Sequence, residues 1–190
     1  MNQKQSLTAS LIVVITGTFL ATEFVFPDLQ GQFALIHGGN YANGFFSGVY
    51  TGDWYRLLTV ALTHAGWLHL IFNMLALLSI GTLIENFYGR NKYIIILLVS
   101  LLAGSLTSYL FNPPQTIAVG ASGMIFGLFG ALVIAGRSLG ANLKEVAPLI
   151  AINIAIPVFI PGIDWKAHLG GLAGGLLTSA LLRPKRGAWE

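Results

Sequence analysis

Tyr93–Gly136, YIIILLVSLLAGSLTSYLFNPPQTIAVGASGMIFGLFGALVIAG, contains no Asp, Glu, Lys or Arg. Two apolar runs flank Asn112-Pro113-Pro114-Gln115-Thr116, a turn cluster in which proline removes a backbone donor and stops a helix. Each run is long enough to cross a hydrocarbon core of about 30 Å at about 1.5 Å per residue. The stretch therefore reads as two membrane spans, 93–111 and 117–136.

The rest of the composition agrees. Of 190 residues, 9% are charged and 55% hydrophobic, whereas soluble domains carry about 25% charged residues. The net charge of +3 comes from ten Lys and Arg set between apolar runs, a distribution that sets topology and does not point to nucleic acid. Cysteine is absent, which excludes disulfides, thiolate metal ligands and a cysteine nucleophile.

Outward from this stretch, 7–26 is a first span, retained because it lacks a small-x-small cleavage site and further spans follow. Residues 27–66 form a polar-aromatic loop too long for a bare linker, so it is expected to pack at the membrane surface, with Trp54 and Arg56 as anchors or clasp. Spans 67–84, 146–160 and 167–182 complete the set, the fifth weakened by Pro148 and Pro157. The fold class expected is an all-α membrane protein, a six-transmembrane-helix bundle forming a single domain over 1–190. Lys4, Arg90, Lys92, Arg137, Lys144, Arg183, Lys185 and Arg186 fall on one face, and only Arg56 and Lys166 on the other. The positive-inside rule then makes both termini cytoplasmic.

Spans two, four and six run inward, so their polar residues can be ranked by depth. Ser122 precedes Arg137 by 15 positions and His168 precedes Arg183 by 15, which puts both roughly 22 Å above the inner boundary. His69 and Asn73, at i,i+4 spacing on one face of span two, bracket that level. Any one of these residues alone is most simply a locally satisfied polar group. Two imidazoles converging with Ser and Asn at one depth in a bilayer are costly, and together they read as a site.

The chemistry follows from the residue types. Neutral imidazole is a suitable base for a serine hydroxyl, so His168 would activate Ser122 as a dyad. No acid sits at their depth, so a third orienting carboxylate is not expected. Attack on a peptide carbonyl creates an oxyanion, for which His69, Asn73 and the Ser122 backbone N–H are candidate donors. Gly123 and Gly127, with Gly170/Gly174 and Gly171/Gly175, supply small-xxx-small spacings that bring spans four and six together. Gly120 opens the turn above the serine. His64 and His69 are five apart with no H-E-x-x-H and no cysteine, so a metal site and other cofactors are not expected. The serine is not in a Gly-x-Ser-x-Gly elbow, and no strand is expected before it.

Taken in combination, Trp54-x-Arg56, His64-x4-His69-x3-Asn73, Glu85 with Gly89-Arg90, Gly120-Ala121-Ser122-Gly123 and Ala167-His168-x-Gly170-Gly171 resemble the rhomboid intramembrane serine proteases. The resemblance covers Trp54 to Gly175 and implies a minimal six-span bacterial form that cleaves single-span or multi-span membrane proteins in or near their transmembrane segments. It implies Ser122 and His168 as the dyad and His69 and Asn73 as oxyanion donors. Gly120, Gly123, Phe126, His64, Trp54 and Arg56 would be supporting residues. Phe126 stands where a tyrosine often packs against the catalytic histidine; its ring retains stacking and lacks the hydroxyl. Span five and residues 161–166 would form a gate and cap. The implied location is multi-pass in the cell (inner) membrane, with the site opening toward the extracytoplasmic side. The alternatives are a non-proteolytic rhomboid-like protein that binds transmembrane clients, and a small transporter, which lacks a charged midplane residue for coupling.

Overall fold

The computed structural model describes residues 6–42, 44–139, 151 and 163–183. The expected fifth span, 146–160, lies outside the described residues, apart from Ala151.

The apolar runs form helices α1 Leu7–Phe24, α4 Trp67–Ala76, α5 Thr82–Tyr88, α6 Arg90–Phe111, α7 Ser122–Ala135 and α8 Trp165–Leu182. A single wide turn of π-helix, Leu77–Gly81, joins α4 to α5, so that Trp67–Tyr88 is one continuous rod. This rod outruns the expected 67–84 because Glu85 lies within the helix instead of ending it. Among the described residues, α1, the α4–α5 rod and α6 are long and apolar enough to cross a membrane.

Glu85 holds the two rods together. Its Oε1 accepts from Leu7 N at 2.8 Å, and its Oε2 accepts from Thr8 N at 2.9 Å, Thr8 Oγ1 at 2.7 Å and Ser6 Oγ at 2.9 Å. A carboxylate from a neighbouring helix thereby satisfies amides that the start of α1 leaves open.

The expected span 117–136 is corrected by the structure. Helix α7 begins only at Ser122, and Ile117–Ala118 is a strand, β4, paired antiparallel with β1, Leu35–Ile36. A strand does therefore precede the serine. The register sets Leu35 opposite Ala118 and Ile36 opposite Ile117, and Gly120 N donates to Val60 O at 3.0 Å. Hydrophobicity alone does not separate two apolar strand residues from the first turn of an apolar helix.

The loop 27–66 is structured, as expected. It contains α2 (Asp28–Phe33), β1, a hairpin of β2 (Gly39–Tyr41) and β3 (Gly44–Phe46), and α3 (Arg56–Thr59). Arg56 is buried and works as a clasp: Nη1 donates to Gly31 O at 2.7 Å and Ala34 O at 2.8 Å, and Nε donates to Asp53 Oδ2 at 3.0 Å. Trp54 is exposed instead, with Phe45, Phe46 and Tyr50, the arrangement of interfacial aromatics.

Helix α8 packs closely on both α6 and α7. Glycine permits this, with a division of labour that differs from expectation. A Cβ on Gly171 would fall on Gly123 O, and one on Gly175 on Gly127 O, so this pair faces α7. Gly170 and Gly174 face α6: a Cβ on Gly170 would lie 2.6 Å from Ala103 O and one on Gly174 2.8 Å from Ala103 Cβ. Adjacent residues point about 100° apart around a helix, so the two sets cannot serve the same neighbour.

Gly171→Ala is expected to push a methyl group into the α7 backbone and cost about 1–3 kcal/mol, read as a lower Tm in detergent. Gly17→Ala, in α1 where a Cβ meets nothing within 4 Å, is expected to be neutral or slightly stabilising. The Ser47 hydroxyl, donating at 2.7 Å, and then the Arg56 guanidinium hold the Asp53 carboxyl below its ordinary range. A depressed carboxylate contributes stability above its unfolded pKa and loses it as pH falls through the folded value. Asp53→Asn should therefore lower Tm at about pH 7, and the gap to wild type should close as pH drops below the ordinary aspartate range.

Candidate functional site

Helices α4, α7 and α8 present their starts at one end of the bundle, and the candidate residues sit in those first turns. Ser122 is the first residue of α7, His168 the fourth of α8 and His69 the third of α4. This common placement accounts for the agreement in depth read from the charges at the opposite end.

Ser122 Oγ and His168 Nε2 are 2.9 Å apart, a hydrogen bond between α7 and α8. Phe126, one turn after the serine, stacks on the imidazole with centroids 4.1 Å apart and planes at 6°. The ring stacking expected of Phe126 is present. His168 is buried, and its Nδ1 has no hydrogen-bond partner among the described residues. Among the described residues no carboxylate is hydrogen-bonded to the ring.

His69 lies across from the serine. Its Nδ1 accepts from Ala65 N at 3.4 Å, so in the neutral ring the proton sits on Nε2 and is available for donation. Gly120 makes room for this imidazole: its φ is +116°, and a Cβ there would lie 2.7 Å from His69 Cε1 and 2.9 Å from Nε2. The glycine thus serves two needs, a left-handed backbone and a bare face toward the ring. Gly123 is less demanding, because a Cβ on it would meet Ala167 O at an ordinary 3.5 Å.

Asn73 is buried, and its Nδ2 donates to the backbone oxygen of His69 at 2.8 Å. One of its two amide protons is therefore engaged in its own helix, and the other remains for a ligand. His64 is fully buried, with its ring edge-on to His69 at 5.0 Å between centroids and neither ring nitrogen bonded among the described residues. It acts as a wall behind His69. Trp54 and Arg56 stand away from this cluster, in the loop.

Ser122, His168 and His69 share a cavity of about 240 Å³ with Asp164, Lys166 and Thr116. At about 30 Å³ per water this volume holds several molecules, so water has room beside the serine. The Ser122 amide, at the start of α7, is among those that a helix leaves without an internal partner. No group of three or more His, Cys, Asp or Glu able to hold a metal occurs among the described residues.

One residue of the site was overlooked in the sequence. Asp164 caps α8, its Oδ1 accepting from Ala167 N at 3.0 Å, and its Oδ2 accepts from Ser108 Oγ of α6. Its position four residues before His168 was the available signal.

Residues 51–185 match the rhomboid domain family model. The chain is 40% identical over 147 residues to the rhomboid protease GluP of Bacillus subtilis (strain 168), covering 73% of this chain and 28% of that protein. It is 33% identical over 148 residues to YdcA of the same organism, covering 75% of this chain and 74% of YdcA. RHOMBOID-like protein 1 of Arabidopsis thaliana is 38% identical over 148 residues, 73% of this chain and 38% of the relative. The chain thus spans well under half the length of GluP and of the Arabidopsis protein, and about three-quarters of YdcA. With the family model extending from within the first loop past the whole of α8, this multi-pass membrane chain belongs to the rhomboid family.

Proposed function

We propose that the chain is an intramembrane serine endopeptidase that cuts peptide bonds in or near the transmembrane segments of other membrane proteins. The observation that carries this reading is the 2.9 Å hydrogen bond between Ser122 Oγ and His168 Nε2 under the Phe126 ring. In that arrangement Nε2 accepts the serine proton as Oγ bonds to the substrate carbonyl carbon and the carbonyl π pair moves onto oxygen. Collapse of this intermediate breaks the C–N bond, and the leaving amine takes the proton from His168. Water from the cavity then attacks the acyl-serine, giving its proton to His168, and the serine is restored as the acid product leaves.

The oxyanion is met by His69 Nε2–H, the Ser122 amide and the free amide proton of Asn73. His69 is the strongest of the side-chain donors, because it lines the cavity with its proton directed by the Ala65 contact. The proposed setting is a single domain over 1–190 with six spans, cytoplasmic termini and a site opening to the extracytoplasmic side of the cell membrane, in line with the Lys/Arg distribution. Substrates are membrane proteins, single-span or multi-span, whose helices unwind readily, because a helical carbonyl is shielded from attack.

Cleavage of a transmembrane substrate by reconstituted protein tests this. Ser122→Ala and His168→Ala are each expected to lower kcat by about 10⁴-fold or more, and His69→Ala by about 10²-fold or more. A fluorophosphonate should label Ser122 in wild type and fail to label His168→Ala. Cleavage that survives Ser122→Ala would overturn the proposal, and a folded protein that retains transmembrane clients without cutting or labelling would establish the client-binding alternative. Gly120→Ala is expected to displace the His69 ring and lower kcat by between about tenfold and a hundredfold, measured in the same assay.

A further inference from the structure

Among the described residues the His168 ring makes one hydrogen bond and one ring contact. Nε2 meets Ser122 and one face meets Phe126, while Nδ1 has no partner among the described residues. In soluble serine hydrolases a carboxylate on Nδ1 fixes the ring. Here its orientation must come from the placement of the helix that carries it, and His168 lies in the first turn of α8, where helices fray.

Three contacts of one residue close that turn. The Asp164 backbone oxygen accepts from His168 N at 3.3 Å, and its Oδ1 accepts from Ala167 N at 3.0 Å. Its Oδ2 accepts from Ser108 Oγ, on α6, and Ser108 Oγ in turn accepts from Asn112 Nδ2 at 3.1 Å. Ser108 is buried. A second tie joins the same two helix ends, Lys166 Nζ to Phe111 O. Three residues beyond His168, Gly171 rests on the α7 backbone at Gly123. The histidine therefore sits between two fixed points, a glycine contact below and an acid-to-serine tie above.

We propose that Asp164, through Ser108, is the positioning residue that sets His168 over Ser122. It does from one helical turn away what a carboxylate on Nδ1 does elsewhere, by fixing the helix in place of the ring. The inference rests on the protease reading above. It differs from plain capping of α8, for which the Ala167 contact suffices and Ser108 has no part.

Ser108→Ala separates the two, because it leaves the cap intact and removes the tie. With purified full-chain protein, we expect Ser108→Ala and Asp164→Ala each to slow fluorophosphonate labelling of Ser122 and to lower kcat by about tenfold, with KM unchanged. The double variant should be no slower than Asp164→Ala alone, as residues acting through one contact are non-additive. Asp164→Asn, whose Oδ1 can still accept from Ala167 N while its Nδ2 can donate to Ser108 Oγ, should recover part of the loss seen in Asp164→Ala. Ser108→Ala that labels and cuts like wild type, or a double variant whose losses multiply, would overturn the positioning role and leave only a cap. Wild-type protein that neither labels nor cuts would instead defeat the protease reading itself.

Discussion

The close approach of two helix backbones, α7 at Gly123 and Gly127 against α8 at Gly171 and Gly175, is the constraint on which the remaining structure depends. Lipid tails give no hydrophobic drive for helices to associate, so contact must be earned by close packing. The requirement falls on both helices. Gly171 has no space for a side chain beside Gly123, which itself has ordinary room, while farther along α7 a Cβ on Gly130 would lie 2.7 Å from Leu172 O and Leu176 N of α8. Its adjacent face, Gly170 and Gly174, lies equally close to α6. With two bare faces, α8 is wedged between α6 and α7, and its position fixes where His168 meets the first residue of α7.

That wedge also permits α7 to be short. At 14 residues it rises only about 21 Å, less than a hydrocarbon core. Gly123 through Leu132 are all buried, so the helix faces protein along most of its length. The backbone that precedes it is not left open to lipid either. Ile117 and Ala118 pair with Leu35 and Ile36, and Gly120 N is bonded to Val60 O. Non-helical backbone at membrane depth requires such partners. The first loop therefore does more than cover the bundle: it holds the segment from which Ser122 emerges, and the Arg56 clasp holds the loop.

These arrangements explain how far the sequence could be read. The three helices long enough to cross a membrane, α1, the α4–α5 rod and α6, are legible from bulk hydropathy, and the meeting of Ser122 with His168 agrees with their equal counts to Arg137 and Arg183, because a helical rise is uniform. The stacking of Phe126 on His168 is what the family resemblance implied for this position. The start of α7 was not legible, since Ile117 and Ala118 are as apolar as the helix after them. Nor was the split of the glycine pairs between two neighbours, which depends on how α8 is rotated. The bond of Asn73 Nδ2 to His69 O, within its own helix, depends on a side-chain rotamer that spacing alone does not set. Asp164 was not legible as part of the site because it lies one turn before His168, where an aspartate reads as an ordinary helix cap.

The two imidazoles facing the cavity need opposite proton assignments, and their surroundings differ in that sense. For His168 to take the serine proton at Nε2, its neutral ring must carry hydrogen on Nδ1. For His69 to donate into the cavity, its hydrogen must be on Nε2. At His69 the assignment is enforced by a backbone amide: Ala65 N–H points at Nδ1 and excludes a proton there. At His168 the 2.9 Å contact with Ser122 Oγ accommodates either tautomer, because a hydroxyl donates or accepts, and the form with hydrogen on Nδ1 is the one that can take the serine proton. Exchanging the tautomer at His69 would set a donor against a donor at Ala65. In the proposed reaction His69 is thus reserved as electrophile before substrate arrives, which leaves His168 as the base.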